Sequence, residues 1–338
     1  MLNARGTTDP RLELSIALSD NERTRPLLEG RIAPQGIKLV ATMVHPSEMF
    51  WRQLRFAEFD ASEMSMSSLL IAVARGDTRW LAIPVFTMRK FFHTSIIVRT
   101  DSGIAAPADL RGKRIGVPEY QQTWAIWSRG VLQHEFGVHA REIEWFMERN
   151  PERSHGAATG FAAPAGVRVH QIPPSTSIGE MLLRGELDGA VNYLVDRNLV
   201  DRSAVDVSGV TRHLFADPAE EGRRFYAKTG LFPINHTVVV RRTLLEKYPW
   251  IALNLYSAFL AAKQENARQG RSYLQWYLET GLLAPGIARA LAEKDPLAYG
   301  FRAARPELET IAQYVHEQGL SARRVGLEEI FAPSTLDL

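Results

Sequence analysis

The chain has 338 residues, 45% of them hydrophobic and 23% charged, and its 40 Lys+Arg against 38 Asp+Glu leave a net charge of +2. That length allows about two domains of ~150 residues and excludes a disordered or fibrous chain, while the balanced charge gives no unopposed basic block for nucleic acid. Cysteine is absent, which excludes disulfides, thiolate nucleophiles, iron–sulfur clusters and Cys-ligated zinc.

Residues 1–10 are polar and lack the basic start and the apolar run of about 7–15 residues that mark a secretory signal, so a cytoplasmic chain is expected. No later stretch reaches the ~18 uninterrupted apolar residues of a membrane helix, and no membrane partner is expected. Residues 12–18 alternate apolar and polar side chains, which predicts a strand. A turn with helix-capping residues at 20–22 leads into a short helix ending at Gly30, and 36–40 begin a second strand. Residues 46–56 predict a helix burying Phe50, Leu54 and Trp51, and 58–65 a turn running into a third strand. The same order recurs in strand 113–117, helix 123–136, strand 167–172, helix 177–184 and strand 185–191. Ala57-Glu58-Phe59-Asp60-Ala61 and Gly185-Glu186-Leu187-Asp188-Gly189 stand at equivalent places in these two halves. Residues 149–166, rich in Gly, Pro and Ala, follow neither period and read as a surface loop or flap. A strand at 237–240, a helix at 249–269 and further helices to Gly319 complete the chain.

Alternating strands and helices favour parallel α/β sheets, so two such halves predict two α/β lobes with a cleft between them. Lobe one is expected from 1–97 plus 232–338 and lobe two from 98–231, with crossovers near 97 and 231. Ligands in open α/β sheets bind at the carboxyl ends of the strands, which places the candidate site in that cleft.

Six segments carry a more specific signal. They are Asp20-Asn21-Glu22-Arg23-Thr24-Arg25, Phe59-Asp60-Ala61-Ser62-Glu63-Met64-Ser65, Ala82-Ile83-Pro84-Val85-Phe86, Gly116-Val117-Pro118-Glu119-Tyr120-Gln121, Gly230-Leu231-Phe232-Pro233-Ile234-Asn235-His236-Thr237, and His316-Glu317-Gln318-Gly319-Leu320-Ser321 with Phe331-Ala332-Pro333. In this order they resemble the 4,5-dihydroxyphthalate decarboxylase family, from about residue 12 to 335. The resemblance implies a fold of the type II periplasmic-binding-protein kind. It also implies loss of one carboxylate from a small dihydroxylated aromatic dicarboxylate without a cofactor, the need for a divalent metal being left open.

That chemistry asks for cations for two carboxylates, a polar group for the ring hydroxyls, and a positioned acid to protonate the ring carbon that loses carbon dioxide. A histidine suits the acid and an arginine fork suits a carboxylate. His236, opening the apolar strand, is the first candidate acid, against a purely structural hinge role; His93 is the second. Glu63 suits accepting from a ring hydroxyl or orienting a histidine. Arg23 and Arg89 are candidate carboxylate clamps. Arg52 shares a helical face with Arg55, where a surface ion pair competes with reach into the cleft. Ser65, Ser67, Tyr120, Gln121 and Thr123 lie in the two turns expected to face the ligand, and Thr123 equally suits a helix cap. No close histidine spacing marks a metal, and a site from His93, His236 and Glu63 would have to be assembled by the fold. Trp124 and Trp127 suit core or cleft wall; Tyr273, Trp276 and Tyr277 suit helix packing or a contact between subunits of a homo-oligomer. His170, His316, His134 and His139 are set aside. The competing function is a solute-binding protein of an ABC-type uptake system using the same cleft for recognition alone; a third is an enzyme of this scaffold acting on a related phenolic acid.

Overall fold

The computed structural model describes residues 10–195, 198–293 and 295–338. The opening residues 1–9, on which the expectation about location rests, lie outside them. In chain order the strands are β1 (Leu12–Leu18), β2 (Ile37–Met43), β3 (Ala61–Ser65), β4 (Trp80–Arg89), β5 (Ile97–Arg99), β6 (Arg114–Val117), β7 (Glu144–Met147), β8 (Arg168–Gln171), β9 (Gly189–Ala190), β10 (Thr211–His213) and β11 (Ile234–Arg241). The helices are α1 (Arg25–Leu28), α2 (Pro46–Phe56), α3 (Met66–Ala74), α4 (Thr123–Phe136), α5 (His155–Thr159), α6 (Ile178–Leu183), α7 (Pro218–Thr229), α8 (Arg242–Lys247), α9 (Trp250–Glu279), α10 (Pro285–Glu293), α11 (Arg305–Glu317) and α12 (Leu327–Ile330).

Two sheets organise them: one in the order β2-β1-β3-β11-β4, the other β10-β5-β9-β6-β7-β8. β1 runs parallel to β2 and β3, and β6 parallel to β7 and β9. This is the parallel pairing that β-α alternation dictates. The chain leaves the first sheet at the end of β4 and returns on β11, which pairs antiparallel with both β3 and β4. The β11–β4 register slips on either side of His236, between Ile234 and His236 and again between His236 and Val238. Bulges re-aim side chains beside functional sites, and these two frame the candidate acid.

The main core holds Trp80, Phe86, Trp127, Trp145, Phe259 and Phe331, and a smaller cluster under the second sheet holds Ile172, Ile178, Leu182 and Leu187. Two expectations are corrected. The aperiodic stretch at 149–166 is not an open flap: it contains α5, capped by the Ser154 hydroxyl accepting from the Ala157 N–H at 3.0 Å, and buries Arg149, Ser154 and His155. Its burial is polar, so an apolar period could not reveal it. Helix α9 runs 30 residues, because nothing before Thr280 and Gly281 breaks it. Its first half buries Ile251, Leu255 and Phe259. Tyr273, Trp276 and Tyr277 on its second half do not pack but stay 59%, 60% and 54% exposed. No helix among the described residues is long and apolar enough to cross a membrane.

Candidate functional site

A cavity of about 240 Å³ opens where strands of both sheets end. A void of ~150 Å³ holds a benzene molecule, so this one suits a single substituted ring. From the first-sheet side it is lined by Ser65, Met88, Asn235 and His236, and by His45, Pro46, Ser47 and Phe50 of α2. From the second come Gln122, Thr123, Trp124, Arg149, His155, Asn192 and Leu194. His45, Ser65 and Gln122 are the N-caps of α2, α3 and α4, so three helices direct their N-termini at this space. Their dipoles favour an anion there. A larger groove of about 740 Å³ lies between α9 and α10, lined by Lys263, Gln264, Arg271, Gln275 and Asp295 among others.

His236 lies opposite Ser65 in the β3–β11 ladder and is 5% exposed. Its Nδ1 is 3.4 Å from Glu63 Oε2, near enough for an ion pair but out of line for a hydrogen bond, and its Nε2 is 2.9 Å from the Asn235 amide. Glu63 is fully buried; its Oε1 accepts from the Ser19 N–H at 2.7 Å and the Ser19 hydroxyl at 2.6 Å, and its Oε2 from the Thr87 hydroxyl. Burial pushes this carboxyl up, but His236, Ser19 and Thr87 together outweigh it and hold it below the ordinary glutamate range. An ionised carboxylate fixed behind an imidazole holds the ring's orientation.

The opposite side is built on Arg149. Its Nε donates to Asp201 Oδ1 at 2.7 Å, its Nη1 to Glu119 Oε2 at 2.9 Å and His155 Nε2 at 3.4 Å, and its Nη2 to Ser47 Oγ at 2.6 Å and Asp201 Oδ2 at 3.2 Å. Every N–H of the guanidinium is therefore engaged within the protein. Burial pushes Asp201 up, but Arg149 more than offsets it and brings the carboxyl down to about 2. His155 is pushed down by burial, and because Arg149 only donates, its Nε2 must be the unprotonated nitrogen. Phe50 stands between the two histidines, its ring 4.7 Å from His236 and 5.5 Å from His155, each edge-on.

Hydroxyls join the two sides. Ser65 Oγ is 2.9 Å from Thr123 Oγ1, which accepts from the Ser67 N–H at 2.9 Å, and Ser68 Oγ bridges Ser65 at 3.2 Å to His155 Nδ1 at 3.2 Å. Lys90 Nζ sits 4.8 Å over the ring of the lining residue Trp124 and, among the described residues, makes no ion pair.

The structure thus places His236, Ser65 and Thr123 on the cavity wall, with Glu63 behind the first and Ser67 behind the third. The other expected contacts lie elsewhere. His93 is fully buried between Phe215 and Phe225, its Nε2 3.1 Å from Glu221, and does not face the cavity. Arg89 turns away to Glu307 at 2.9 Å and the carbonyls of Phe232 and Ala298, each at 3.0 Å. Arg52 is occupied on the outer face of α2 by Glu48 and Glu58. Arg23 donates to the Thr87 carbonyl and is not part of the lining. Tyr120 is sealed under Arg129, whose guanidinium lies 3.7 Å over its ring, and Gln121 accepts from Thr159 at 3.0 Å. Their shared reason is demand: buried carboxylates, carbonyls and rings claimed these side chains before a ligand could.

Sequence reasoning missed His45, Ser47, Asn192, Asn235, Arg149 and His155. Asn235 adjoined His236 in a quoted motif, whereas the last two sat in the segment read as a flap. Among the described residues no group of three or more His, Cys, Asp or Glu is placed to hold a metal ion.

The two-sheet order, the paired crossovers and a polar cavity at the strand ends define the two-lobed fold of type II periplasmic binding proteins. Residues 28–160 match a family model described as "ABC transporter, phosphonate, periplasmic substrate-binding protein". The alkanesulfonate-binding protein SsuA from Xanthomonas axonopodis pv. citri, solved bound to MOPS, shares the fold with a TM-score of 0.57 at 16% identity, covering 97% of this chain and 99% of that one. Within that fold the chain is 35% identical over 333 residues to a 4,5-dihydroxyphthalate decarboxylase of Comamonas testosteroni, covering 97% of this chain and 98% of the relative. It is 39% identical over 181 residues to one of Pseudomonas putida, 54% of this chain and 70% of the relative. The chain belongs to the 4,5-dihydroxyphthalate decarboxylase family.

Proposed function

We propose that this protein is a decarboxylase that removes one carboxylate from a dihydroxylated aromatic dicarboxylate, 4,5-dihydroxyphthalate by its family, giving 3,4-dihydroxybenzoate and carbon dioxide. The observation that carries this reading is the buried Glu63–His236 pair opening into a one-ring cavity at which three helix N-termini converge. Transport by binding alone has no use for a carboxylate-backed imidazole aimed at the ligand; protonation of a ring carbon does.

In this mechanism the carboxylates lie near Ser65, Thr123 and the N-termini of α3 and α4, beside His236, with Lys90 over the Trp124 ring adding charge. The hydroxyl oxygen para to the departing carboxylate releases electron density into the ring. Entry of the ligand displaces the Asn235 amide from His236 Nε2; His236, protonated there and steadied by Glu63, then transfers that proton to the carbon bearing the carboxylate, and the ring loses aromaticity as the para oxygen becomes carbonyl-like. The bond to the carboxylate then breaks, its electron pair returns to the ring, aromaticity is restored and carbon dioxide leaves. His236 regains its proton from solvent. The apolar faces of Phe50, Trp124 and Leu194 exclude water and confine the ring.

Purified protein mixed with 4,5-dihydroxyphthalate tests this directly. Carbon dioxide and 3,4-dihydroxybenzoate should form in equal amounts; saturable binding without turnover would overturn the reading in favour of a solute-binding protein.

A further inference from the structure

Among the described residues, two side-chain amides in the cavity wall each leave one buried polar atom without a hydrogen-bond partner. Asn192 is 5% exposed and its Oδ1 is buried without a donor; Gln122 is 6% exposed and its Nε2 is buried without an acceptor. An unsatisfied buried amide is costly, and folded proteins rarely keep one without a reason. Asn192 carries a second mark. Its φ is +59°, in the left-handed region, and only one other non-glycine residue among those described, Ala57, shares that sign. Asn tolerates this conformation better than most residues, but the strain still needs support from its surroundings, and such positions gather at ligand sites.

The charge around the cavity decides which end of a ligand these amides meet. Arg149 is flanked by both Glu119 and Asp201, so that side offers carboxylates no spare cation. A dianionic ring would direct its carboxylates to Ser65, Thr123 and His236, leaving its opposite edge toward the Arg149 side. The Asn192 oxygen requires a donor. In a dihydroxylated dicarboxylate dianion the only donors are the ring hydroxyls.

We infer that Asn192 is a specificity-determining residue that accepts a hydrogen bond from a ring hydroxyl of the substrate, while the Gln122 amide donates to an oxygen of the same ligand. This rests on the proposed function for the identity of the ring, but it concerns recognition and not the proton transfer. Each unmatched amide thus finds in the substrate the partner that the protein withholds.

Binding calorimetry with 4,5-dihydroxyphthalate and phthalate, which lacks both hydroxyls, tests this in a His236→Gln background where turnover is slowed by at least about 100-fold. With Asn192 present the dihydroxylated ligand should bind more tightly than phthalate. Asn192→Gly, which accommodates the positive φ, should shrink that preference about tenfold and leave phthalate affinity unchanged, as loss of one hydrogen bond implies. Asn192→Asp, which keeps the acceptor, should preserve the preference while weakening both dianions alike through charge repulsion. Unchanged phthalate affinity in Asn192→Gly also shows that this variant remains folded. A preference that survives Asn192→Gly overturns the inference, as does a protein that never prefers the hydroxylated ligand, even if the unsubstituted enzyme turns substrate over. A preference lost in Asn192→Gly supports the inference even if the unsubstituted protein releases no carbon dioxide, the outcome that would defeat only the proposed function. Failure to bind either ligand defeats both.

Discussion

On the second-sheet side of the cavity Arg149 commits each N–H to Asp201, Glu119, Ser47 or His155, and the group is closed. On the first-sheet side His236 has one nitrogen 3.4 Å from Glu63 without a hydrogen bond and the other against Asn235 on the cavity surface. Both sides are buried and both pair a base with carboxylates. A group with all its donors engaged holds shape but can neither gain a ligand nor give up a proton cheaply. A group whose cavity-facing nitrogen is held by one neutral amide can exchange that bond for a ligand and is available for chemistry. Rigidity and reactivity are thereby assigned to different sheets, and the hydroxyl chain through Ser65, Thr123 and Ser68 ties them together.

The largest test of this contrast is His236→Gln, which keeps a polar side chain but cannot act as an acid. Steady-state kinetics should show kcat down by about 10²–10⁴-fold, the usual worth of a positioned proton donor, with the melting temperature little changed. Arg149→Met attacks the other side and should lower stability by about 3–5 kcal/mol, because two buried carboxylates lose their cation. Denaturant unfolding across pH checks the sign. In the unaltered protein Asp201, held at about 2 against an ordinary 3.8, stabilises at neutral pH, and its contribution fades as pH falls from about 4 through 2. In Arg149→Met the buried acids gain stability from protonation, so the gap between the two proteins should narrow with acidification. Should the gap instead widen, the ion pairs are not what holds that side.

Glu63→Gln should reduce kcat by about 10²-fold with KM little changed, since the imidazole loses the carboxylate that steadies it. An unchanged kcat with a simple fall in stability would leave Glu63 a structural role only. Thr123→Val breaks the hydroxyl chain and should cost about 0.5–1.5 kcal/mol, visible in KM more than in kcat. Smallest of all, Arg52→Ala should change activity by less than about twofold and stability by at most ~1 kcal/mol, its partners being surface carboxylates.

Much of the scaffold was legible because periodicity records apolar burial: helices 46–56 and 123–136 coincide with α2 and α4. His236 and Glu63 were legible through the motifs that carry the family resemblance. The arginines were not. Arg23 and Arg89 read as carboxylate clamps, yet each is bound by a partner distant in sequence that no local pattern announces, whereas Arg52 takes the surface ion pair that its helical face allowed. Arg149 and His155 were hidden for the complementary reason, since polar residues in an aperiodic stretch look like surface. The anion-binding character of the cavity instead comes from three helix N-termini, which only the convergence of α2, α3 and α4 reveals.

The central claim is that His236 delivers the proton to the ring carbon. The most direct measurement is 4,5-dihydroxyphthalate binding and turnover by His236→Gln side by side with the unaltered protein. Expected is binding within a few-fold of normal and carbon dioxide release slowed by at least about 100-fold. Release within about threefold of normal, with binding intact, would contradict the assignment.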